Sequence, residues 1–352
     1  MRHRSTTTGL FLCALASSLA ACSGGGGGSA VPASPGAQTY GQAATGQSAG
    51  AAQSVATGVV VDLPYDATPA NPGYSVLADG SPAPAGAPIA GARVFIGPAV
   101  VNGIAAPDTV PAGFVSATTD ANGAFRMPAA VAGRLAITIF APAPHTATLH
   151  QVFDAARAAN GTYELSAPTD AETAWLARTN ADRARWSVAP VALDESALES
   201  ARYWSRFMES HAYFAHCIPA SLCKSGDTTA PPSSYGAQDV DPQHRFAYFH
   251  GFSGASAGEN IAAGFAAWPN VENAFLAEQS ACPNGSPVNC PFTEATGHFL
   301  NVVDPHYVWT GYGMTTGPDG NIWYDQEFAN VYSPTPTSAR HAPERFAAGK
   351  AP

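Results

Sequence analysis

The texture of the chain changes at Asp170, and that break constrains the fold more than any single motif does. From about Val55 to Pro168, short runs rich in β-branched and aromatic residues alternate with Gly, Pro, Asn and Asp: "TGVVVDLP", "GARVFIGP", "GFVSATTDANGAFRMP", "GRLAITIFAP" and "GTYELSAP". Runs of this kind read as strands of an antiparallel sandwich. In "TTDANGAF", Asn122-Gly123 supplies the positive-φ positions of a tight hairpin and Asp120 can hydrogen-bond the turn backbone. Beyond Asp170 the period becomes helical. "DAETAWLARTNADRARW" puts Trp175, Leu176 and Thr179 on one face behind Asp170 as N-cap, and "LDESALESARYWSRFMESHAYF" repeats Ala197, Ala201, Trp204, Met208 and His211 along another. A third helix is expected around Asn270 to Ser280, with Val271, Phe275 and Glu278. "HGFSGASAGENIAAG", almost all small residues, reads as a loop leading into a helix, with Glu259 near the helix start. Three strand-like runs then follow: "GHFLNVVD", "VWTGYGMTT" and "NIWYDQEFAN", the last two joined by the turn "GPDG". Helices first and strands last predict a mixed domain with helices packed on a sheet.

The ends of the chain carry signals of another kind. Arg2 and Arg4 precede the apolar run "GLFLCALASSLA", which is too short to span a bilayer as a mature helix and reads as an export signal over residues 1–21. Leu19-Ala20-Ala21-Cys22 resembles a bacterial lipobox, in which Cys22 is acylated and becomes the new N-terminus. Ser23, with no Asp at that position, directs the expectation to the outer membrane of a two-membraned bacterium. Residues 22–54, beginning "CSGGGGGSAVPASPG", have the composition of a flexible tether, and the tail 331–352 is similarly biased. Net charge is -10, from 16 basic and 26 acidic residues. Losing Arg2 and Arg4 leaves 14 basic residues and a net -12, so no electrostatic footprint for nucleic acid exists. Low charge, 12%, also argues against a coiled coil. Cys13 leaves with the leader and Cys22 takes lipid; in an exported chain the remaining two close pairs predict disulfides Cys217–Cys223 and Cys282–Cys290. A zinc site built from these four cysteines is the alternative, but their spacing lacks the tight gaps of zinc ribbons.

Familiar catalytic signatures are absent. There is no "HExxH" helix and no phosphate loop, and "GFSGA" departs from the nucleophile elbow because Ala255 stands where Gly is needed. What remains is a dispersed set of His and Glu: His216 in "YFAHC", Glu259 in "AGEN", Glu278 in "AFLAEQ" and His298 in "ATGHF". His244, His250 and His306 read as surface or loop residues, and Trp204, Trp268, Trp309 and Trp323 as core or wall.

Taken in order, "LARTNADRAR", "ALDESALESARYWSRFM", "YFAHC", "HRFAYFHGF", "AGENIAAG", "FLAEQ", "TGHFLNVVDP", "WTGYGM" and "NIWYDQEF" resemble a CAP domain, the superfamily of cysteine-rich secretory proteins, antigen 5 and pathogenesis-related proteins. The resemblance runs over roughly Ala171 to Asn330 and implies an α-β-α sandwich at 170–330. Residues 55–168 resemble carboxypeptidase regulatory-like domains, small all-β prealbumin-like sandwiches, through "TGVVVD", "PIAGARVFIG", "TTDANGAFRMP" and "RLAITIFAP". Such modules are accessory or spacer units. The expected class is therefore α+β.

The CAP resemblance implies a cleft tetrad of two His and two acids, carried here by His216, Glu259, Glu278 and His298. Phe275 stands where relatives often have Trp, and a long insert follows Glu278, so Glu294 competes with Glu278 and His211 competes with His216. Two imidazoles facing one cleft can hold Zn²⁺ or a similar divalent ion, weakly unless an acid joins, with carboxylates orienting the rings; the alternative is that His and Glu hydrogen-bond one another and pin loops around the sheet. The resemblance implies a binding or interaction module of the cell envelope, taking a small apolar or glycan-like ligand or a protein partner, rather than an enzyme. The other reading is a metal-dependent hydrolase of peptidase type, with His216 and His298 around a metal and Glu259 as base.

Overall fold

The computed structural model describes residues 54–66, 73, 86–98, 113–131, 134–154, 159–220, 232, 235, 239–250, 252–253, 257–329 and 335–336. The expected leader, Cys22 and the expected tether up to residue 53 lie outside the described residues, as do Cys223 and most of the tail; Ser54, the last residue expected in the tether, already belongs to a strand. Among the described residues, no helix is long and apolar enough to cross a membrane.

Seven strands come first: β1 (Ser54–Asp62), β2 (Arg93–Pro98), β3 (Val115–Thr118), β4 (Ala124–Val131), β5 (Arg134–Phe140), β6 (Thr148–Asp154) and β7 (Ala159–Leu165). They form two sheets, ordered β4-β1-β7 and β3-β2-β5-β6. Val60, Phe125, Met127 and Leu165 of the first pack with Val94, Ile96, Ile137, Ile139 and Leu149 of the second in one buried apolar cluster. Two details depart from the sequence reading. β1 pairs with β7 in parallel, so the arrangement is mixed rather than purely antiparallel. And "TTDANGAF" closes a local turn, but β3 and β4 then enter different sheets. Asp120 Oδ1 accepts from the backbone N–H of Asn122 at 2.8 Å and of Ala124 at 3.0 Å, as its chemistry requires. Only Gly123 takes positive φ, at 69°. Turn chemistry sets the bend; the buried face of each strand sets its partner.

The second half begins with α1 (Asp170–Arg185), whose N-cap is Thr169, one residue before the expected Asp170. Thr169 Oγ1 accepts from the Glu172 N–H at 3.2 Å while Glu172 reaches back to the Thr169 N–H at 2.7 Å, a reciprocal capping box. After the short β8 (Ala192–Leu193), Asp194 caps α2 (Glu195–His211) by accepting from the N–H groups of Ser196 and Ala197. Then come α3 (Pro242–His250), β9 (Phe252–Ser253), β10 (Ala257–Ala263), α4 (Trp268–Ala277), α5 (Gly297–Val303), β11 (Trp309–Thr316), β12 (Ile322–Ala329) and β13 (Thr335–Pro336), which pairs with β9.

The main sheet here is ordered β10-β12-β11-β8. Odd-numbered residues of β12 face α2, where Trp323 packs with Trp204, Met208 and Ile261. Even-numbered residues face the other helices: Tyr324 packs with Trp175, Val271 and Phe275, and Phe328 with Phe299 and Val302. Alternation along a strand thus places helices on both faces. α2 lies almost on the backbone of β11, because a Cβ on Gly311 would come within 2.0 Å of the Ala197 carbonyl carbon and one on Gly313 within 2.0 Å of the Ala201 oxygen.

Two segments differ from their sequence reading. "AGENIAA" is the edge strand β10, not a helix start, and Glu259 lies within it opposite Glu327. Ala257 through Ala262 are all buried, so the strand is covered on both faces and the polar–apolar alternation that marks a strand is lost. "GHFLNVV" is the helix α5, not a strand. Phe299, Val302 and Val303 stand at i, i+3 and i+4 and are all buried, a helical face that the adjacent β-branched valines disguise.

The two halves share buried polar contacts. His150 on β6 places Nδ1 2.9 Å from Asp194 Oδ2, and its ring lies 4.5 Å from that of Trp309. Ser166, just after β7, donates to Glu195 Oε1 from its N–H at 2.9 Å and its hydroxyl at 2.6 Å. Arg202 of α2 forks onto Glu172 at 2.8 and 2.7 Å, donates to Ser166 Oγ at 2.6 Å, and stacks 3.8 Å over the Tyr65 ring. Ala136 of β5 joins Ala197, Phe246 and Trp309 in a common apolar cluster. The first half is built into the second through α2.

Candidate functional site

β10 organises the site because its consecutive residues point to opposite faces. Glu259 faces α2 and α3. Asn260 faces the other way, where its Nδ2 donates to the His298 carbonyl at 3.2 Å and to Gln326 Oε1 at 3.0 Å. One strand therefore touches both histidines of the predicted tetrad.

The first dyad is fully buried. His216 Nδ1 lies 2.7 Å from Glu259 Oε1, and neither side chain is exposed. The segment carrying His216 is set by the end of α2, where Ala212 turns left-handed at φ 48°. Its neighbours are pinned: Trp204 Nε1 donates to the Ala215 carbonyl at 3.1 Å and the Tyr213 hydroxyl to the Cys217 carbonyl at 2.6 Å. Cys217 is disulfide-bonded, and its expected partner Cys223 lies outside the described residues.

The second dyad sits at the start of α5. His298 Nδ1 lies 2.6 Å from Glu278 Oε1, while Glu278 Oε2 accepts from the N–H groups of His298 at 2.9 Å and Phe299 at 3.3 Å. Glu278 thus caps α5 from outside the helix, a place where a carboxylate meets unsatisfied donors. The Phe275 ring lies 4.5 Å from that of His298. The loop between Glu278 and α5 is closed by the disulfide Cys282–Cys290.

All four predicted tetrad residues are thus paired as His216–Glu259 and His298–Glu278. The competitors are elsewhere: Glu294 is exposed, and His211 is exposed at the end of α2 with its ring stacked on Phe207. His244 and His306 pair with Asp241 and Asp304 at the surface. The His250 side chain lies outside the described residues. Trp204 and Trp309 are wholly buried, and Trp268 and Trp323 are partly so.

Sequence reasoning missed what lies behind Glu259. Arg245, from α3, is completely buried and forms an ion pair with Glu259 through NH2; its Nε lies 3.7 Å from Glu327 Oε1 and its guanidinium 3.8 Å above the Trp204 ring. Asp325 and Glu327 share this face of β12, and Ser200 donates to Glu327 Oε1 at 2.8 Å. The only clue in the sequence was the presence of an Arg inside "HRFAYFHGF", an otherwise apolar stretch.

Burial dominates the electrostatics. It pushes the carboxyls of Asp325 and Glu327 well above the usual range, reinforced by the charge of Glu259 and opposed by Arg245. Burial alone would lower the Arg245 guanidinium, but Glu259, Glu327 and Asp325 more than reverse this and hold it above its ordinary value. Burial also lowers His216, opposed by its bond to Glu259 and reinforced by His298 and Arg245. Burial therefore favours the neutral form of the His216 ring. Among the described residues Glu259, Asp325 and Glu327 bring carboxylate oxygens within 4.8 Å of one another, a spacing a cation could use. The donor set does not fit one: Arg245 already supplies the positive charge, and burial favours the protonated forms of the other two acids.

Each histidine ring, taken singly, is set as a metal ligand would be. Nε2 of both His216 and His298 is buried without a hydrogen-bond partner, while each Nδ1 is held by a carboxylate. A ring whose far nitrogen is fixed by a carboxylate is the arrangement that metal-ligating histidines adopt.

Residues 176–328 match the model of the Cysteine-rich secretory protein family, CAP. The chain carries a CAP domain. The matched span begins within α1 and ends in β12, and both His–Glu dyads lie inside it. Among solved structures, similarity is found to an outer surface protein from Borrelia burgdorferi, at 13% identity over 45% of this chain and 91% of that one, with a TM-score of 0.31. An extracellular protein containing a SCP domain, from Bacillus anthracis strain Ames, is similar at 18% identity over 63% of this chain and 58% of that one, with a TM-score of 0.30. No curated protein sequence matches the chain.

Proposed function

We propose that this chain is an exported, lipid-anchored CAP-domain protein of the bacterial cell envelope, and that its two His–Glu dyads bind a divalent metal ion and through it a ligand. The observation that carries this reading is the pair of buried, unpartnered Nε2 atoms on His216 and His298. A buried polar atom without a partner is costly, and it is retained where something else completes it. His216 and His298 would hold the ion; when bound, it supplies a Lewis-acidic anchor for a ligand oxygen, with water or ligand in the remaining positions.

Binding is favoured over hydrolysis because the acids are already engaged. Glu259 is gripped by His216 and Arg245, and Glu278 by His298 and the first turn of α5. Neither is free to take a proton from an attacking water. Among the described residues no Ser or Cys hydrogen-bonds either histidine, so a nucleophile partnered with a base is missing as well. The two-sheet half acts in this reading as a carboxypeptidase regulatory-like module, and Cys22 as the lipid attachment point that places both units at the membrane surface.

Calorimetric titration of zinc chloride into the mature chain tests the proposal. The wild type is expected to bind one ion, and the His216→Ala, His298→Ala double variant to lose that binding while keeping its circular dichroism spectrum. Equal zinc binding by the two proteins would overturn it. Peptide hydrolysis that the wild type performs and the double variant does not would instead favour the hydrolase.

A further inference from the structure

The CAP domain buries Arg183, Arg202 and Arg245 among its largest wholly enclosed side chains, and the three are used differently. Arg183 spends its donors on backbone carbonyls, those of Ala189 at 2.8 Å, Val302 at 2.7 Å, Asp304 at 3.0 Å and Tyr307 at 3.0 Å. Arg202 forks onto Glu172 and reaches Ser166. Both tie chain segments together. Arg245 does less of this: its Nε and NH1 have no hydrogen-bond partner, and its hydrogen bonds all come from NH2. That nitrogen donates to Glu259 Oε2 and, at 3.3 Å, to the carbonyl of His216. An enclosed guanidinium that leaves two of its nitrogens unsatisfied is a poor structural tie. Its contacts converge instead on both members of one dyad.

We propose that Arg245 is a positioning residue for the ligand site, clamping Glu259 and the His216 backbone so that the His216 ring offers its Nε2 lone pair. This rests on the metal-binding reading of the dyads. Hydrogen-bond direction sets the tautomer. A carboxylate that accepts from a guanidinium at one oxygen is an acceptor at the other, so the Glu259–His216 bond runs from Nδ1–H to Oε1. A neutral imidazole with its hydrogen on Nδ1 carries its lone pair on Nε2. The carbonyl contact fixes the backbone from which the ring projects, and the guanidinium carbon lies 3.8 Å over the Trp204 ring. Glu327 and Asp325 complete the cage on the sheet side. Without the guanidinium, Glu259 would face two further carboxyls and nothing would fix which partner donates.

Long-range ¹H–¹⁵N correlation spectra of the full mature chain, selectively labelled at histidine, read the tautomer of His216 directly, and zinc chloride titration reads its use. In the wild type His216 is expected as the Nδ1–H form; an Nε2–H form there would overturn the proposal before any variant is made. Arg245→Gln, which keeps size but not charge, is expected to populate the Nε2–H form and bind zinc at least about tenfold more weakly, as loss of an outer-shell partner does. Arg245→Lys, which restores the cation, is expected to recover the Nδ1–H form and most of the affinity. A Gln variant that is folded and retains both the wild-type tautomer and the wild-type affinity refutes the role. If the wild type binds no zinc, the metal reading fails, while the tautomer comparison still decides whether Arg245 sets the ring.

Discussion

Replacing Arg202 by Met removes the guanidinium that joins the two halves of the protein and leaves Glu172 wholly buried opposite an apolar side chain. Arg202→Met forfeits two charge-assisted bonds to Glu172 at 2.8 and 2.7 Å, the 2.6 Å bond to Ser166 and the stacking on Tyr65. Breaking a buried pair by removing one partner costs about 3–5 kcal/mol, because the remaining charge is stranded. Glu172 keeps one donor, the Thr169 N–H of the capping box, which places the expected loss near the lower end, about 3 kcal/mol. Glu172→Gln preserves the cap, since Gln serves equally in that motif, and relieves the stranded charge. The double variant is therefore expected to be more stable than Arg202→Met alone, with a coupling of roughly 2 kcal/mol. Urea unfolding followed by tryptophan fluorescence measures all four proteins, because Trp175, Trp204 and Trp309 are fully buried in the second half. A loss under about 1 kcal/mol for Arg202→Met, or a coupling near zero, would refute the claim that Arg202 and Glu172 form a stabilising buried pair between α2 and α1.

Two further predictions concern α2. Burial and the nearby charge of Glu199 push the Glu195 carboxyl from 4.5 up to about 8, so the folded chain keeps a proton that the unfolded chain releases. This stabilisation is full below about pH 4.5 and is lost as pH rises toward 8, with a slope of at most about 1.4 kcal/mol per pH unit. Glu195→Gln should flatten that part of the stability profile, and an unchanged slope in urea melts between pH 5 and pH 8 would contradict it. Gly313→Ala sets a methyl group 2.0 Å from the Ala201 oxygen of the helix backbone, so α2 must move. A loss of about 3 kcal/mol or more is expected in the same urea assay, and a loss under about 1 kcal/mol would mean that the helix is not seated on β11 as described.

The strands before Asp170, the two long helices, β11 and β12 were legible because their signals are local, whereas His216, Glu259, Glu278 and His298 were singled out through the family resemblance. Period, turn residues and the order of short phrases need no knowledge of distant contacts. β10 and α5 were misread for opposite reasons. β10 is enclosed on both faces, so its small residues show no alternation, whereas in α5 the adjacent Val302 and Val303 suggested a strand although Phe299 completes a helical stripe. The turn at Asn122-Gly123 was read correctly as a bend, but wrongly as a strand pairing and as placing both residues at positive φ, since nothing local says which sheet a strand joins. Arg245, Asp325 and Glu327 were invisible for a deeper reason. Asp325 and Glu327 alternate with Tyr324 and Gln326 on a buried central strand, and only the fold brings Arg245 across to neutralise them. The same applies to Arg202, whose partners Glu172 and Ser166 lie 30 and 36 residues away in sequence.

In the proposed site, His216 and His298 together present two imidazole nitrogens to one ion. X-ray absorption at the zinc edge, on the mature chain loaded with one equivalent of zinc, tests it most directly. Two nitrogen scatterers of imidazole type are expected at about 2.0–2.1 Å, with the remaining positions filled by oxygen and one imidazole contribution lost in either His216→Ala or His298→Ala. Zinc bound through sulfur, through oxygen alone, or with an unchanged spectrum in both variants would contradict it.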